Sequence, residues 1–184
     1  MMMGQTLKRW LGMSLLLPGL QMLSACASSP SIEDYAKEQP ALSLSSYFNG
    51  NVHAQGFFTD RSGRVIKRFS VALKGTWNGP NGKVEEEFVY TDGTKDTRVW
   101  TLTETSPGKF EGRAHDVVGV AKGQSAGNAF NWTYTMALPV DGRVINVQFD
   151  DWMYLMDDRI MINKARMSKF GIYLGEVTLV FVKP

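Results

Sequence analysis

The sequence predicts an all-β domain, a single antiparallel up-and-down barrel, on three observations. From Tyr47 onward, apolar and polar residues alternate at period two. Turn pairs interrupt that alternation at Ser62-Gly63, Asn81-Gly82, Asp92-Gly93, Pro107-Gly108 and Asp141-Gly142, each a hairpin signal. No long helical period and no internal repeat is visible.

Lys8 and Arg9 precede an apolar stretch from Trp10 to Leu17, then Pro18-Gly19, then Leu23-Ser24-Ala25-Cys26. A basic start, a short apolar core and small residues before a cut site make an export signal. The stretch falls short of the roughly 20 apolar residues that cross a bilayer. Leu-Ser-Ala-Cys matches the bacterial lipobox at all four positions, so the reading is a signal peptide over 1–25 and lipidation at Cys26. A plain signal peptide with Cys26 incidental is the weaker alternative. One acyl chain holds a protein only marginally, at about 0.8 kcal/mol per buried methylene, so several chains on one cysteine are what anchor it. Ala27 and Ser28 follow the cysteine where an Asp would favour inner-membrane retention. The expected address is therefore the outer membrane, facing the periplasm.

Residues 26–46 contain Pro30, Pro40 and several serines with little apolar content. They read as the acylated cysteine and a flexible tether, with a short helical turn near Ile32–Lys37. A coil of this length spans roughly 25 Å. The domain proper is expected over 47–184. Its clearest strand is 130–138, where Phe130, Trp132, Tyr134, Met136 and Leu138 share one face. Residues 65–73 set Val65, Phe69, Val71 and Leu73 against Arg68, Ser70 and Lys74. About eight to ten such strands fit a closed barrel of the lipocalin-like or calycin-like type. An open sandwich is the alternative, and closure is favoured because long free strand edges invite aggregation.

Composition excludes several function classes. Cys26 is the single cysteine, so no disulfide is available. Loss of residues 1–25 removes Lys8 and Arg9 from 20 basic residues and no acidic one, leaving 18 basic against 18 acidic. A neutral chain without a basic block is a poor nucleic-acid binder. Two widely spaced histidines, His53 and His115, argue against zinc, and Asp157-Asp158 lacks a calcium-loop pattern. No metal and no cofactor is expected.

The residues of segment 144–167 carry the most chemistry. Val147, Phe149, Asp151, Met153 and Leu155 fall on one strand face. A two-residue turn at Asp157-Asp158 would set Asp151 opposite Lys164 and Phe149 opposite Arg166, at cross-strand contact distance. Charge on an apolar face is costly unless paired or functional. One reading makes Phe149, Asp151, Lys164 and Arg166 the polar end of an internal ligand site, with the two cations holding an anionic head. The others make the charges a register-fixing salt bridge or a solvated outer face, and together these outweigh the first.

Catalytic motifs are weaker. Asp150 and Asp151 diverge to opposite faces and form no dyad. Gly123-Gln124-Ser125-Ala126-Gly127 matches a nucleophile elbow in letters, yet a strand follows it and both histidines precede it. His115-Asp116 is the remaining pair, and adjacent strand residues diverge there too. Glu85-Glu86-Glu87 reads as a solvated face with cross-strand ion pairs to the strand of Arg98 and Trp100. The chain is not expected to be an enzyme.

Further blocks run through the whole domain: Phe48-Asn49-Gly50, residues 56–63 (GFFTDRSG), residues 116–121 (DVVGVA) and Gly127-Asn128-Ala129. Phe149-Asp150-Asp151-Trp152-Met153, Asn163-Lys164-Ala165 and Lys169-Phe170-Gly171 follow. On these the chain resembles a family of Gram-negative lipoproteins known as domain of unknown function 3833. Lys164 stands where that family's pattern would have arginine as often. The resemblance brings no assigned activity; the family's genes lie near fatty-acid-modifying enzymes, which points to lipids. The expected function is therefore a lipid-anchored barrel holding a lipid or other apolar ligand. The alternative is an accessory envelope lipoprotein with a filled barrel, acting on a protein partner.

Overall fold

The computed structural model describes residues 29–140 and 142–184. The signal expected over 1–25 and the lipidation expected at Cys26 lie outside the described residues. Among the described residues ten strands form one sheet: β1 (Gly50–Asp60), β2 (Val65–Asn78), β3 (Asn81–Tyr90), β4 (Lys95–Ser106), β5 (Lys109–Arg113), β6 (Ala121–Ala126), β7 (Ala129–Val140), β8 (Arg143–Leu155), β9 (Ile160–Lys169) and β10 (Ile172–Val182). Each pairs antiparallel with its chain neighbours, and β1 pairs with β10 to close the barrel. The up-and-down barrel read from the alternation is the fold, and the open sandwich is not.

Inside and outside follow the period of two. On β2, Phe69, Val71 and Leu73 are buried while Arg68, Ser70 and Lys74 are exposed. On β7, Phe130, Trp132 and Met136 are buried, with Tyr134 and Leu138 half-buried on the same face. Trp132 fits the interior because two neighbours lack side chains: a Cβ at Gly123 would come within 2.2 Å of its ring, and one at Gly112 within 2.6 Å. The nucleophile-elbow letters thus have a packing cause. Ser125 lies in β6, its N–H bonded to the Gly108 carbonyl at 2.8 Å. One turn differs from expectation: β2 and β3 are joined at Gly79-Pro80, and Asn81-Gly82 already belongs to β3.

The two ends of the barrel differ. One end is sealed by a short helix, α1 (Leu44–Tyr47), capped by Ser43, whose hydroxyl accepts from the Ser46 N–H at 3.3 Å. Leu44, Tyr47 and Phe48 are buried there, and the Phe48 ring meets Phe181 edge-on at 5.6 Å. Tyr47 donates its hydroxyl to the Arg159 carbonyl at 2.9 Å. The plug seats because β2 carries Gly75, where any Cβ would lie 1.5 Å from the Phe48 carbonyl oxygen.

Upstream, a 3-10 turn at Ile32–Tyr35 packs on the outside, with Tyr35 against Trp152 and Tyr154 at 5.8 and 5.3 Å between centroids. The Leu42 N–H donates to the Gly127 carbonyl at 2.7 Å. From Ile32 onward the segment expected as a flexible tether over 26–46 is therefore docked. Its large aliphatic residues, Ile32, Leu42 and Leu44, are buried, and a stretch so short shows no period that would announce this.

Candidate functional site

The other end of the barrel opens into a cavity of about 940 Å³. Its walls are the inner faces of the strands, rich in rings: Phe69, Phe88, Tyr90, Trp100, Trp132, Tyr134 and Phe149 all line it. Tyr134 and Phe149 stack at 5.1 Å, and Phe88 and Tyr90 at 6.2 Å. Toward the plug, the remaining void shrinks to about 70 Å³, lined by Leu44, Phe48, Trp100 and Phe181. The interior is packed at one end and vacant at the other.

Six polar side chains interrupt this apolar wall in two bonded groups, and Lys67, Thr94, Lys95, Asp96 and His115 also line the cavity. In the first, Arg98 on β4 donates through Nε to both Asp116 carboxylate oxygens at 3.1 and 3.0 Å, and through Nη2 to Oδ2 at 2.8 Å. Its Nη1 reaches Glu86 Oε2 on β3 at 3.5 Å, and its guanidinium lies 5.2 Å from the centre of the Phe88 ring. These side chains are only 20, 14 and 17% exposed for Arg98, Glu86 and Asp116. Asp116 is brought to the cavity wall by the connection between β5 and β6. The connection bonds back to β7, Val118 N–H to the Thr135 carbonyl at 2.8 Å and Ala137 N–H to the Asp116 carbonyl at 2.9 Å.

In the second group, Tyr134 donates its hydroxyl to Asp151 Oδ2 at 3.0 Å, and Asn163 donates its amide to Asp151 Oδ1. Asp151 and Asn163 are buried, at 6 and 2% exposure. Burial pushes the Asp151 carboxyl up to about 7 against the pull of its two donors. Glu86 rises to about 7 as well: desolvation outweighs the attraction of Arg98, and the carboxylates of Asp116 and Asp151 add to the rise. Burial likewise holds the Tyr134 phenol well above its ordinary value. Among the described residues, no cluster of three or more His, Cys, Asp or Glu has metal-binding geometry.

Of the four ligand residues expected from segment 144–167, Phe149 and Asp151 face the cavity, while Lys164 and Arg166 do not. The expected pairs do not form. Asp151 stands opposite Ala165, while Trp152 faces Lys164 and Asp150 faces Arg166. The cause is a turn of three residues rather than two. Asp157 Oδ1 accepts from the N–H groups of Arg159 and Ile160 at 2.8 and 2.7 Å, and Met156 pairs with Ile160. One added residue moves every β9 side chain to the opposite face. Lys164 lies outside at 56% side-chain exposure, 3.3 Å from Glu176, and Arg166 covers the Tyr173 ring at 4.9 Å.

Glu86 corrects the reading of residues 85–87 as one solvated face. Glu85 and Glu87 point out, whereas Glu86 shares the inner face with Val84 and Phe88 and stands opposite Arg98. The signal was present in the alternation Val84, Glu86, Phe88, Tyr90. Asp150 is on the outer face and accepts from Asn131 at 2.8 Å. His115 borders the mouth and is exposed.

A closed ten-stranded antiparallel barrel with an internal cavity open at one end is a lipocalin-like fold. The chain belongs to the DUF3833 family, a family described as protein of unknown function, whose profile matches residues 20–183. Among solved structures it is similar to an S-type phycobiliprotein lyase from Guillardia theta, at TM-score 0.57 and 9% identity, covering 84% of this chain and 98% of that one. It is also similar to a protein of unknown function of the DUF3598 family from Nostoc punctiforme, at TM-score 0.50 and 13% identity over 86% of this chain. This chain spans only 53% of that protein's length. At such identities the likeness is one of fold. No curated protein matches the sequence.

Proposed function

We propose that this protein is a binding barrel of the cell envelope that holds an apolar ligand whose polar group donates hydrogen bonds. The observation that carries the reading is the ring-lined cavity of about 940 Å³, at the upper end of the roughly 300–1,000 Å³ of small-molecule pockets. A filled barrel acting only through its surface would have no use for that space. The polar wall sets the ligand's head. Glu86, Asp116 and Asp151 outnumber the one cation bonded among them, Arg98, while Lys67 and Lys95 in the same lining stand with Asp96, and Lys67 is held by Asp92. An anionic head would enter an acid-rich, low-dielectric site and be repelled. An alcohol, amide or amine finds acceptors there. This reverses the anionic head expected for Lys164 and Arg166, since both lie outside. Leu23-Ser24-Ala25-Cys26 supports attachment of the barrel by lipid at Cys26, on the outer membrane and facing the periplasm.

The test is displacement of an environment-sensitive apolar dye from residues 27–184 by an alkyl amine, alcohol and carboxylate of one chain length. At pH 8 the carboxylate should compete at least about tenfold more weakly than the other two, because charge repulsion in a buried site exceeds 1.4 kcal/mol. Asp151→Asn together with Glu86→Gln should narrow that gap. A dye that does not bind removes the ligand reading, and equal competition by the carboxylate removes the proposed head-group preference.

A further inference from the structure

One side of the barrel's open rim carries exposed apolar side chains, and its place in the sheet is specific. Three hairpins that are neighbours around the barrel, β7–β8, β9–β10 and β1–β2, meet at the mouth. They present Val144 at 70% exposure, Phe170 at 87%, Ile172 at 58% and Ile66 at 58%. A phenylalanine this exposed would be ordinary in isolation. Here it caps a turn in the left-handed region at φ 52°, ahead of Gly171 at φ 76°. A bulky residue is strained in that region, where Asn or Gly is at ease. The fold therefore holds an apolar ring in water at a backbone conformation that favours a polar residue, and packing within the chain does not explain it.

Charge identifies what would cover this rim. The same hairpins carry Arg61, Arg64, Arg68, Arg143, Arg166 and Lys169, against Asp60, Asp150 and Glu176, the last two standing beside Arg166 on the strands either side. Asp60 is already bonded to Arg64 at 3.4 Å. Exposed apolar side chains at loop tips, ringed by long cationic ones, match the boundary between acyl chains and phosphates: the ring enters and the cations reach the headgroups. We infer that this rim docks on the surface of an anionic phospholipid bilayer, with Phe170, Ile172 and Val144 inserted. The docking stands on the rim alone and does not depend on what the cavity holds.

Sedimentation of residues 29–184, which contain every strand and the plug, with vesicles tests it. Binding to equimolar phosphatidylglycerol and phosphatidylcholine should exceed binding to pure phosphatidylcholine by at least about tenfold, given several basic residues at the interface. Phe170→Asn relaxes the turn while removing the ring, so it should keep or raise the melting temperature and weaken vesicle binding by about tenfold or more. Equal binding to both vesicles, or a Phe170→Asn protein that binds like the parent, overturns the inference. So does self-association through the rim that Phe170→Asn abolishes without any vesicle binding.

Discussion

The sealed end and the mouth of the barrel are built from the same strands, yet one is solid and the other vacant. At the sealed end, hairpin turns enclose a plug that the chain supplies just before β1, and Leu44, Phe48 and Phe181 interlock with Trp100 nearby. At the mouth no segment of the described chain plays that part, and the apolar side chains of three hairpins stay in water. Close packing and open space are thus separated along the barrel axis. Packing density falls from plug to rim, and the polar groups sit where it falls.

The steepest test of that gradient is at the plug. Phe48→Ala should cost about 3–5 kcal/mol, the range for a buried phenylalanine, read as a lower urea midpoint. Midway along the axis, pH should do less. Glu86 and Asp151 keep their protons up to about 7 when folded, against ordinary values of 4.5 and 3.8. Between roughly pH 4 and 7 the folded state therefore binds more protons than the unfolded chain, and stability falls as pH rises. Each group contributes at most about 1.4 kcal/mol per pH unit in that window. Glu86→Gln with Asp151→Asn should flatten the slope between pH 5 and pH 8; an unchanged slope would place its origin elsewhere. At the rim, Val144→Ser should shift stability by no more than about 0.5 kcal/mol. If Phe48→Ala and Val144→Ser cost alike, the contrast between the ends is wrong.

The barrel was readable because its strands are long and each burial face repeats at period two, as in Phe69, Val71, Leu73 and in Phe130, Trp132. The site was readable only in part. Phe149 and Asp151 lie inside as the alternation requires, but the position of Lys164 depended on one residue in a turn. Asp157-Asp158 gives no sign in sequence whether the loop closes after two residues or three. Arg98 and Asp116 meet through a connection that folds back over β7, a long-range contact that local pattern does not encode. Asn163 falls inside for the same reason that Lys164 falls outside. The plug escaped because four helical residues carry too little pattern to separate them from a linker.

Closure of the barrel by its first and last strands carries a consequence for how the chain comes to be folded. His53 meets Val182 and Asp60 meets Gly175, so the ring is completed only after nearly the entire polypeptide has been synthesised. Pairings this distant in sequence form late and slowly. Until β10 arrives, β1 and β9 each present a bare edge to which any other extended chain can add. The growing chain is thus an open sheet with its aromatic face uncovered. A chain stopped short of residue 172 would lack β10, leaving both edges permanently unpaired and making it a substrate for quality-control proteases.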